Sequence, residues 1–240
     1  MSTIYSKNYR KIWEQHFGPI PRDQDGRSYE IHHIDGNRSN NNIEKLPIST
    51  FNKLHSLQEL DLHNTRLSDI KPSMFTGLDN LKSLNLSTNK LTKIMPGVFK
   101  EIAKLEILQL GDINASKLDN NVFLGLEYLK VLDLEHNKLT DLPVGLFANL
   151  KLQYLSLKGN KVKQLSSDVF KNQTEMEEFD LSDSNIENLD MVKEMPYLRY
   201  LLLKNTKYEN EKIIKFKNQT FRRINEDYCF GWCRRHWLFG

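Results

Sequence analysis

The strongest constraint on this chain of 240 residues is a pattern of leucines that recurs every 22 to 24 residues. The pattern reads LxxLxLxxN, and its copies begin at Leu57, Leu81, Leu105, Leu129, Leu152, Met176 and Leu198. Repetition at such a period is typical of proteins built from stacked structural units. One unit cannot bury its own apolar side, so the units are expected to stack into a solenoid with a shared core.

Most repeats continue in the same way after this pattern. The fourth repeat, for example, has apolar residues at Leu139 and Leu142, then Phe147 and a closing Leu150. The alternating leucines predict a short strand, and the residues that follow predict a turn and an irregular or short helical return. The expected fold class is α/β, with parallel strands on the concave side and phenylalanines at the back of the core.

The Asn that ends the pattern is expected to form a ladder along the solenoid. Asn89, Asn137 and Asn160 suit side chains that hydrogen-bond the backbone turn after each strand. Other residues replace this Asn at Thr65, Ile113, Ser184 and Thr206. The third repeat, where Asn114 comes one place late, is the expected site of local irregularity.

Segments such as LKVLDLEHNKLTDLPVGLF resemble the leucine-rich-repeat family, of the 24-residue kind seen in extracellular animal receptors. The resemblance runs from about residue 41 to about residue 208. It implies a leucine-rich-repeat solenoid that binds another protein on its concave face.

Alternate residues of each strand are expected to point from the concave sheet to solvent. In neighbouring repeats the second strand position is apolar, at Ile107, Val131 and Tyr154. An exposed apolar stripe beside charged residues is typical of a protein-binding surface. The alternative is that β-branched and aromatic residues simply favour strands. The predicted partner-binding residues are these three together with Asp61, Asp133, Glu135 and Asp180.

The first 45 residues lack the leucine period and form a separate segment. A helix is predicted over Tyr9 to His16, ended by Gly18 and Pro19. The following SYEIHHIDGNRSNNN predicts a strand, a turn at Asp35-Gly36 and an Asn-rich loop.

This segment resembles the first half of an HNH endonuclease of the phage homing type, on the residues EIHHIDGN. The resemblance implies that His33 is the general base acting on a DNA phosphodiester. It also makes His32 a ligand of a divalent metal, Mg or Mn. The match departs from the family pattern at Lys45, which stands where the family has its middle Asn. The helix with the final metal ligand is replaced by repeats, and His55 falls off the expected spacing, so the segment is expected to be incomplete.

The two patterns overlap at NNNIEKLPISTFNKL. Asn41, Ile43, Leu46, Phe51 and Leu54 match the end of a repeat in phase with the following ones. We interpret the chain as a fusion, natural or artificial, at a point of accidental similarity. Its expected divisions are an HNH-like segment at 1–45, a solenoid at 46–208 and a C-terminal segment at 209–240. The first segment is expected to cap the open end of the solenoid.

The C-terminal segment is basic and aromatic, with seven Lys or Arg against two acids from Lys212 onward. We expect it to cap the last repeat; the alternative is a surface for nucleic acid or an anionic membrane. Cys229 and Cys233 with His236 provide too few ligands for a structural zinc, so no zinc is predicted there.

The net charge of +3 does not mark the whole chain as a nucleic-acid binder. No secretory signal or transmembrane stretch is visible, which favours an intracellular location, although the repeats resemble extracellular ones. The leading hypothesis is a non-enzymatic scaffold that binds a protein and needs no cofactor. The alternative is a metal-dependent DNA endonuclease that carries a repeat domain.

Overall fold

The computed structural model describes residues 31–32, 45–46, 48, 50–91, 93–210, 213–216 and 219–222. For 31–32, 213–216 and 219–222 the backbone alone is described. The predicted helix over Tyr9 to His16, His33, and the cysteines Cys229 and Cys233 lie outside these residues.

The described residues form one sheet of ten strands. The strands are β1 (Ile31–His32), β2 (Glu59–Asp61), β3 (Ser83–Asn85), β4 (Ile107–Gln109), β5 (Val131–Asp133), β6 (Tyr154–Ser156), β7 (Glu178–Asp180), β8 (Tyr200–Leu202), β9 (Ile213–Phe216) and β10 (Gln219–Arg222). Their order in the sheet is β1 to β8 in sequence, then β10 and β9.

The strands of the seven repeats pair in parallel without a shift in register. Leu60 lies opposite Leu84, Leu84 opposite Leu108, and Leu108 opposite Leu132. These leucines are at most 2% exposed and form the inner side of the sheet. The predicted parallel solenoid is confirmed, and every repeat position forms a straight column across the sheet.

The return segments contain little helix. The described residues include two 3₁₀ helices, Ser167–Phe170 and Asp190–Glu194, and the other returns are turns and irregular backbone. Six phenylalanines line the back of the core, each no more than 2% exposed, at Phe51, Phe75, Phe99, Phe123, Phe147 and Phe170. Ring centroids of Phe51 and Phe75 lie 6.3 Å apart, so the phenylalanine column begins inside the overlap of the two sequence patterns.

Gly77 shows how closely this partial first turn packs on the next one. The residue has a φ of +93°, and a Cβ added to it would lie 2.5 Å from the Cα of Asn52. Any side chain at this position would therefore collide with backbone. The segment that follows the HNH-like pattern is a structural turn of the solenoid.

The predicted Asn ladder is present. Asn89 Nδ2 donates to the carbonyl oxygens of Leu62 (2.7 Å) and Leu86 (2.9 Å), and its Oδ1 accepts the amide N–H of Leu67 (2.8 Å). Asn137, two repeats further along the chain, donates in the same way to the carbonyl oxygens of Leu110 and Leu134. Each ladder Asn thus satisfies buried backbone groups of two adjacent turns.

The replacements in the ladder are tolerated for identifiable reasons. Thr65, Ser184 and Thr206 donate their hydroxyls to the carbonyl three residues earlier, at 3.0, 2.6 and 2.7 Å. The third repeat stays in register, and its irregularity is an additional left-handed residue at Asn114, with a φ of 64°. Arg66 in the first repeat has the same conformation.

Gln173 occupies a position that the sequence pattern assigns to an apolar side chain. It is fully buried, donates Nε2 to the carbonyl oxygens of Phe147 (2.8 Å) and Leu150 (2.9 Å), and accepts the N–H of Leu152 (3.3 Å). A satisfied amide therefore replaces an apolar contact between the fourth and fifth returns.

Replacing Asn137 with Ala should lower the free energy of unfolding by about 2 kcal/mol or more, because several buried backbone groups lose their partner. Urea unfolding measures the loss. Asn120→Ala, at an exposed turn position, is the control and should change stability by no more than about 0.5 kcal/mol. Equal effects of the two changes would show that the ladder does not stabilise the fold.

Candidate functional site on the strand face

The outward side of the sheet is the candidate site. We call it the strand face, and it consists of the second, fourth and sixth positions of each repeat. Its second-position column contains Ile107, Val131 and Tyr154, which lie opposite one another in β4, β5 and β6. Val131 and Tyr154 pack together, with Ile107 against them, in a cluster separate from the main core.

The expectation that this apolar stripe is open to solvent is wrong for two of its three residues. Val131 is 5% exposed and Tyr154 is 3% exposed, whereas Ile107 is partly buried. Adjacent strands lie about 4.8 Å apart, so side chains in one column shield each other from water. Strand alternation predicts the side to which a residue points but not how far its neighbours cover it.

The fourth-position column has a structural function that repeats along the solenoid. Its polar side chains accept the backbone N–H two residues later and so stabilise the turn after the strand. The pairs are Asp61 with His63 (3.0 Å), Asn85 with Ser87 (3.0 Å), Asp133 with Glu135 (2.8 Å) and Asp180 with Ser182 (2.8 Å). Asn85 is a neutral amide, so this turn hydrogen bond does not require a carboxylate.

Carboxylates gather at β5 to β7. Asp133 and Asp180 flank Ser156 in the same row, because Ser156 pairs in register with each of them. Asp133 is 5% exposed, Asp180 is 8% exposed and Glu178 is 3% exposed. Glu135, at the next outward position after Asp133, is half-buried. Four acids therefore share one small region of the strand face.

Burial changes the protonation of these acids. Burial, reinforced by the charge of Glu135, raises the pKa of Asp133 to about 7. Burial also raises the pKa of Glu135 to about 7, although the nearby Lys158 opposes the shift. Burial and the charge of Asp180 raise the pKa of Glu178 to about 7. The pKa of Asp180 is raised as well, chiefly by burial.

Tyr154 joins this acidic region to the apolar cluster. Burial, together with the charges of Asp133 and Asp180, raises the pKa of its hydroxyl well above the usual value. The phenol therefore stays neutral and can act as a hydrogen-bond donor among the carboxylates.

The fold brings only some of the predicted partner-binding residues together. Asp133, Asp180, Glu135 and Tyr154 lie in one region, and Val131 and Ile107 adjoin it. Asp61 lies three strands away from Asp133 and instead binds His63, with Oδ1 2.8 Å from Nδ1. This hydrogen bond raises the pKa of His63. Glu178 was not predicted, although its position beside Tyr154 in the second-position column identifies it.

The HNH-like residues are described only in part. His32 is the second residue of β1 and lies opposite Asp61 in the parallel pairing of β1 with β2, so this segment extends the sheet. His55 is exposed and pairs with Asp79, its Nδ1 2.6 Å from Oδ2. In the part of the chain that the structure describes, no three His, Cys, Asp or Glu side chains are placed to hold a metal ion.

The C-terminal hairpin β9–β10 continues the sheet beyond the last repeat. Arg222 in β10 lies opposite Tyr200 in β8, and β9 pairs antiparallel with β10. The capping function of this segment stays a prediction. Among the described residues, no helix has the length and apolarity needed to cross a membrane.

Parallel register, an Asn ladder and a phenylalanine column define a repeat solenoid of the leucine-rich type. The family model for the leucine-rich repeat matches residues 56–115, 103–162 and 151–207, which together cover more than half of the sequence. The chain belongs to the leucine-rich-repeat family.

Solved structures share this fold. A chain of the Toll–Spatzle complex from Drosophila aligns with a TM-score of 0.60 and 23% identity, over 69% of this chain and 26% of that one. The TLR13–ssRNA13 complex aligns with a TM-score of 0.54 and 31% identity, over 66% and 26%. Human 5T4, also called trophoblast glycoprotein, aligns with a TM-score of 0.59 and 26% identity, over 69% and 67%.

The N-terminal segment is similar to a different family of proteins. The family model for the HNH endonuclease matches residues 9–52. Intron-associated endonuclease 3 of Enterobacteria phage RB3 is 64% identical over 39 residues, which are 16% of this chain and 14% of that protein. The HNH-like segment predicted from EIHHIDGN is confirmed, and it corresponds to a small part of the phage enzyme.

Replacing Asp133 with Asn should stabilise the protein at pH 8. The amide keeps an acceptor for the Glu135 N–H, while a buried charge is removed. Because the pKa of Asp133 is about 7 when folded and about 4 when unfolded, the folded chain holds more protons between these values. Stability therefore falls as the pH rises through this window. The gain in the free energy of unfolding should be about 1 kcal/mol or more at pH 8 and smaller at pH 4.5.

Urea unfolding at the two pH values measures this difference. Asp119→Asn is the matched control, since Asp119 accepts the N–H of Asn121 at 2.9 Å in the same way but is exposed. Loss of stability in Asp133→Asn at pH 8 would contradict a buried, costly carboxylate at this position.

Proposed function

We propose that this protein is a non-enzymatic scaffold that binds a protein partner through the concave, strand-bearing face of its solenoid. The observation that carries the proposal is the region where the apolar cluster of Val131 and Tyr154 adjoins four carboxylates. Ile107, the partly exposed member of this cluster, has apolar surface that a partner can remove from water, and the charges nearby select and orient the partner.

The binding surface consists of predicted residues and their neighbours. Ile107 and Glu135 are the partly exposed members that a partner can contact. The buried residues Val131, Tyr154, Asp133 and Asp180 lie beside them on the same face of the sheet. Asp61, on β2, contributes at most an outlying contact because two strands, β3 and β4, lie between it and Asp133. No cofactor is needed for this function.

A random peptide library displayed on phage and selected on the immobilised full chain tests the proposal. Selected peptides should bind the wild type and lose at least about ten-fold in affinity for a double variant with Ile107→Ser and Glu135→Lys. The matched control is Leu124→Ser with Glu127→Lys, which changes an exposed apolar residue and an exposed acid outside the strand face. Peptides that bind both variants as well as the wild type would place binding elsewhere.

A second function is favoured by the match to the HNH endonuclease family at residues 9–52. In that alternative the segment binds DNA, His33 acts as general base and His32 is a ligand of Mg or Mn. Asp61, opposite His32 in the sheet, hydrogen-bonds His63. We favour the scaffold because the leucine-rich repeats span residues 56–207, whereas the HNH match covers residues 9–52.

Supercoiled plasmid incubated with the full chain and either Mg or Mn separates the two functions. The scaffold proposal predicts no metal-dependent nicking above a chelator control. Nicking by the wild type that disappears in His33→Ala would show instead that the N-terminal segment is an active nuclease.

A further inference from the structure

Exposed lysines gather on one flank of the solenoid, around the ladder position that follows each strand of repeats two to five. We call them the lysine strip, and its members are Lys90, Lys93, Lys117, Lys138, Lys161 and Lys163. The segments that carry the strip are residues 88–93, 112–117, 136–141 and 159–164. They contain two acids, Asp112 and Asp141. This flank is therefore strongly basic, although the net charge of the whole chain is only +3.

Backbone hydrogen bonds fix the spacing of these lysines from turn to turn. The N–H of Lys138 donates to the carbonyl oxygen of Ala115 (2.8 Å), and the N–H of Lys161 donates to that of Leu139 (2.9 Å). Lys90 makes the equivalent bond to the first repeat. Parallel segments that are hydrogen-bonded in this way lie about 4.8 Å apart, so the strip is a straight row that extends for about 15 Å.

The opposite flank, where the chain enters each strand, places its charges differently. There Lys130 Nζ lies 2.7 Å from Glu106 Oε2 on the preceding turn, and similar pairs of opposite charge join other turns. None of the lysines of the strip forms an ion pair with any residue that the structure describes. Lys138 and Lys161 even occupy equivalent positions on adjacent turns, where like charges repel. An external polyanion would compensate this charge.

We propose that the lysine strip binds the phosphate backbone of duplex DNA. A straight row of cations matches a linear polyanion, and duplex DNA carries one negative charge for about every 1.7 Å of its axis. The four segments of the strip contain no Phe, Tyr or Trp. Proteins that bind single strands stack the bases on aromatic side chains, so this composition favours a duplex, whose bases are already stacked. Contacts to phosphate alone make the binding independent of base sequence.

This binding surface is separate from the concave face of the proposed scaffold. The acids of the strand face repel a polyanion, so DNA on the flank leaves that face to a protein partner. Beyond the strip, the sixth repeat has Asp183 and Glu187 at exposed positions of the same flank, which limits the basic surface to repeats two to five. We choose DNA among duplexes because DNA is also the substrate in the alternative function of the N-terminal segment. That choice rests on the alternative function, whereas the strip itself does not.

Fluorescence anisotropy of a labelled DNA duplex with the full chain tests the proposal, in EDTA and over a series of salt concentrations. Each lysine that contacts a phosphate contributes about −0.9 to the slope of log affinity against log salt, so the wild type should give a slope of about −5. The triple variant Lys93→Gln, Lys138→Gln, Lys161→Gln should give a slope of about −3 and an affinity at least about ten-fold lower. The control Lys53→Gln, Lys100→Gln, Lys104→Gln removes the same charge at exposed positions outside the strip and should keep the wild-type slope.

Duplex binding that is undetectable, that is weakened equally in both variants or that is unchanged in the strip variant would overturn the proposal. Tighter binding of the single strand, or of phosphatidylserine vesicles, would overturn the choice of duplex DNA as the partner. Circular dichroism spectra verify that both variants are folded. Both variants leave residues 9–52 unchanged, so the plasmid assay tests the nuclease separately. Strip-dependent DNA binding without nicking would refute the nuclease alone, whereas nicking without strip-dependent binding would refute the strip alone.

Discussion

Each turn of this solenoid is stable only because its neighbours complete it. A strand of three residues and an irregular return cannot bury their own leucines or satisfy their own backbone groups. The ladder residues Asn89 and Asn137 solve the second problem by bonding carbonyl and amide groups of two turns at once. The stacked phenylalanines solve the first. A straight register follows from these contacts, and with it the alignment of equivalent residues into columns.

Column alignment is what turns isolated residues into a site. Val131 and Tyr154 are 23 positions apart in sequence but lie opposite each other in β5 and β6. The same register brings Asp133, Ser156 and Asp180 into one row. The short side chain of Ser156 separates two buried carboxylates, and their charges reinforce each other there. Acidic residues that are spread along the sequence are therefore clustered in the folded chain.

At the beginning of the solenoid, the HNH-like sequence and the repeat core share residues. Phe51 falls within the match to the HNH endonuclease family, and it also stacks on Phe75 in the core of the repeats. The backbone of His32 continues the sheet beside β2. The HNH-like residues thus contribute to the solenoid as structure, whatever chemistry they retain.

Much of the fold could be predicted from the sequence, because the spacing of the leucines directly reflects the stacking of the repeats. The leucine period correctly predicted the position of every repeat strand and the column of phenylalanines. Three features needed the structure. Gln173 is polar at an apolar position, and only its three hydrogen bonds explain it. Val131 and Tyr154 are covered by neighbours that strand alternation does not specify. The acids at Asp133 and Asp180 look like surface charges in sequence, but they are buried turn-stabilising residues.

The central claim is that the register of the repeats gathers carboxylates on the strand face and buries them there. Carbon-13 NMR of the Asp133 and Glu135 carboxyl groups tests it most directly, as a pH titration of the full chain. The account predicts midpoints near pH 7, since the pKa of each group is raised to about 7 chiefly by burial. Midpoints near pH 4 for both groups would contradict it.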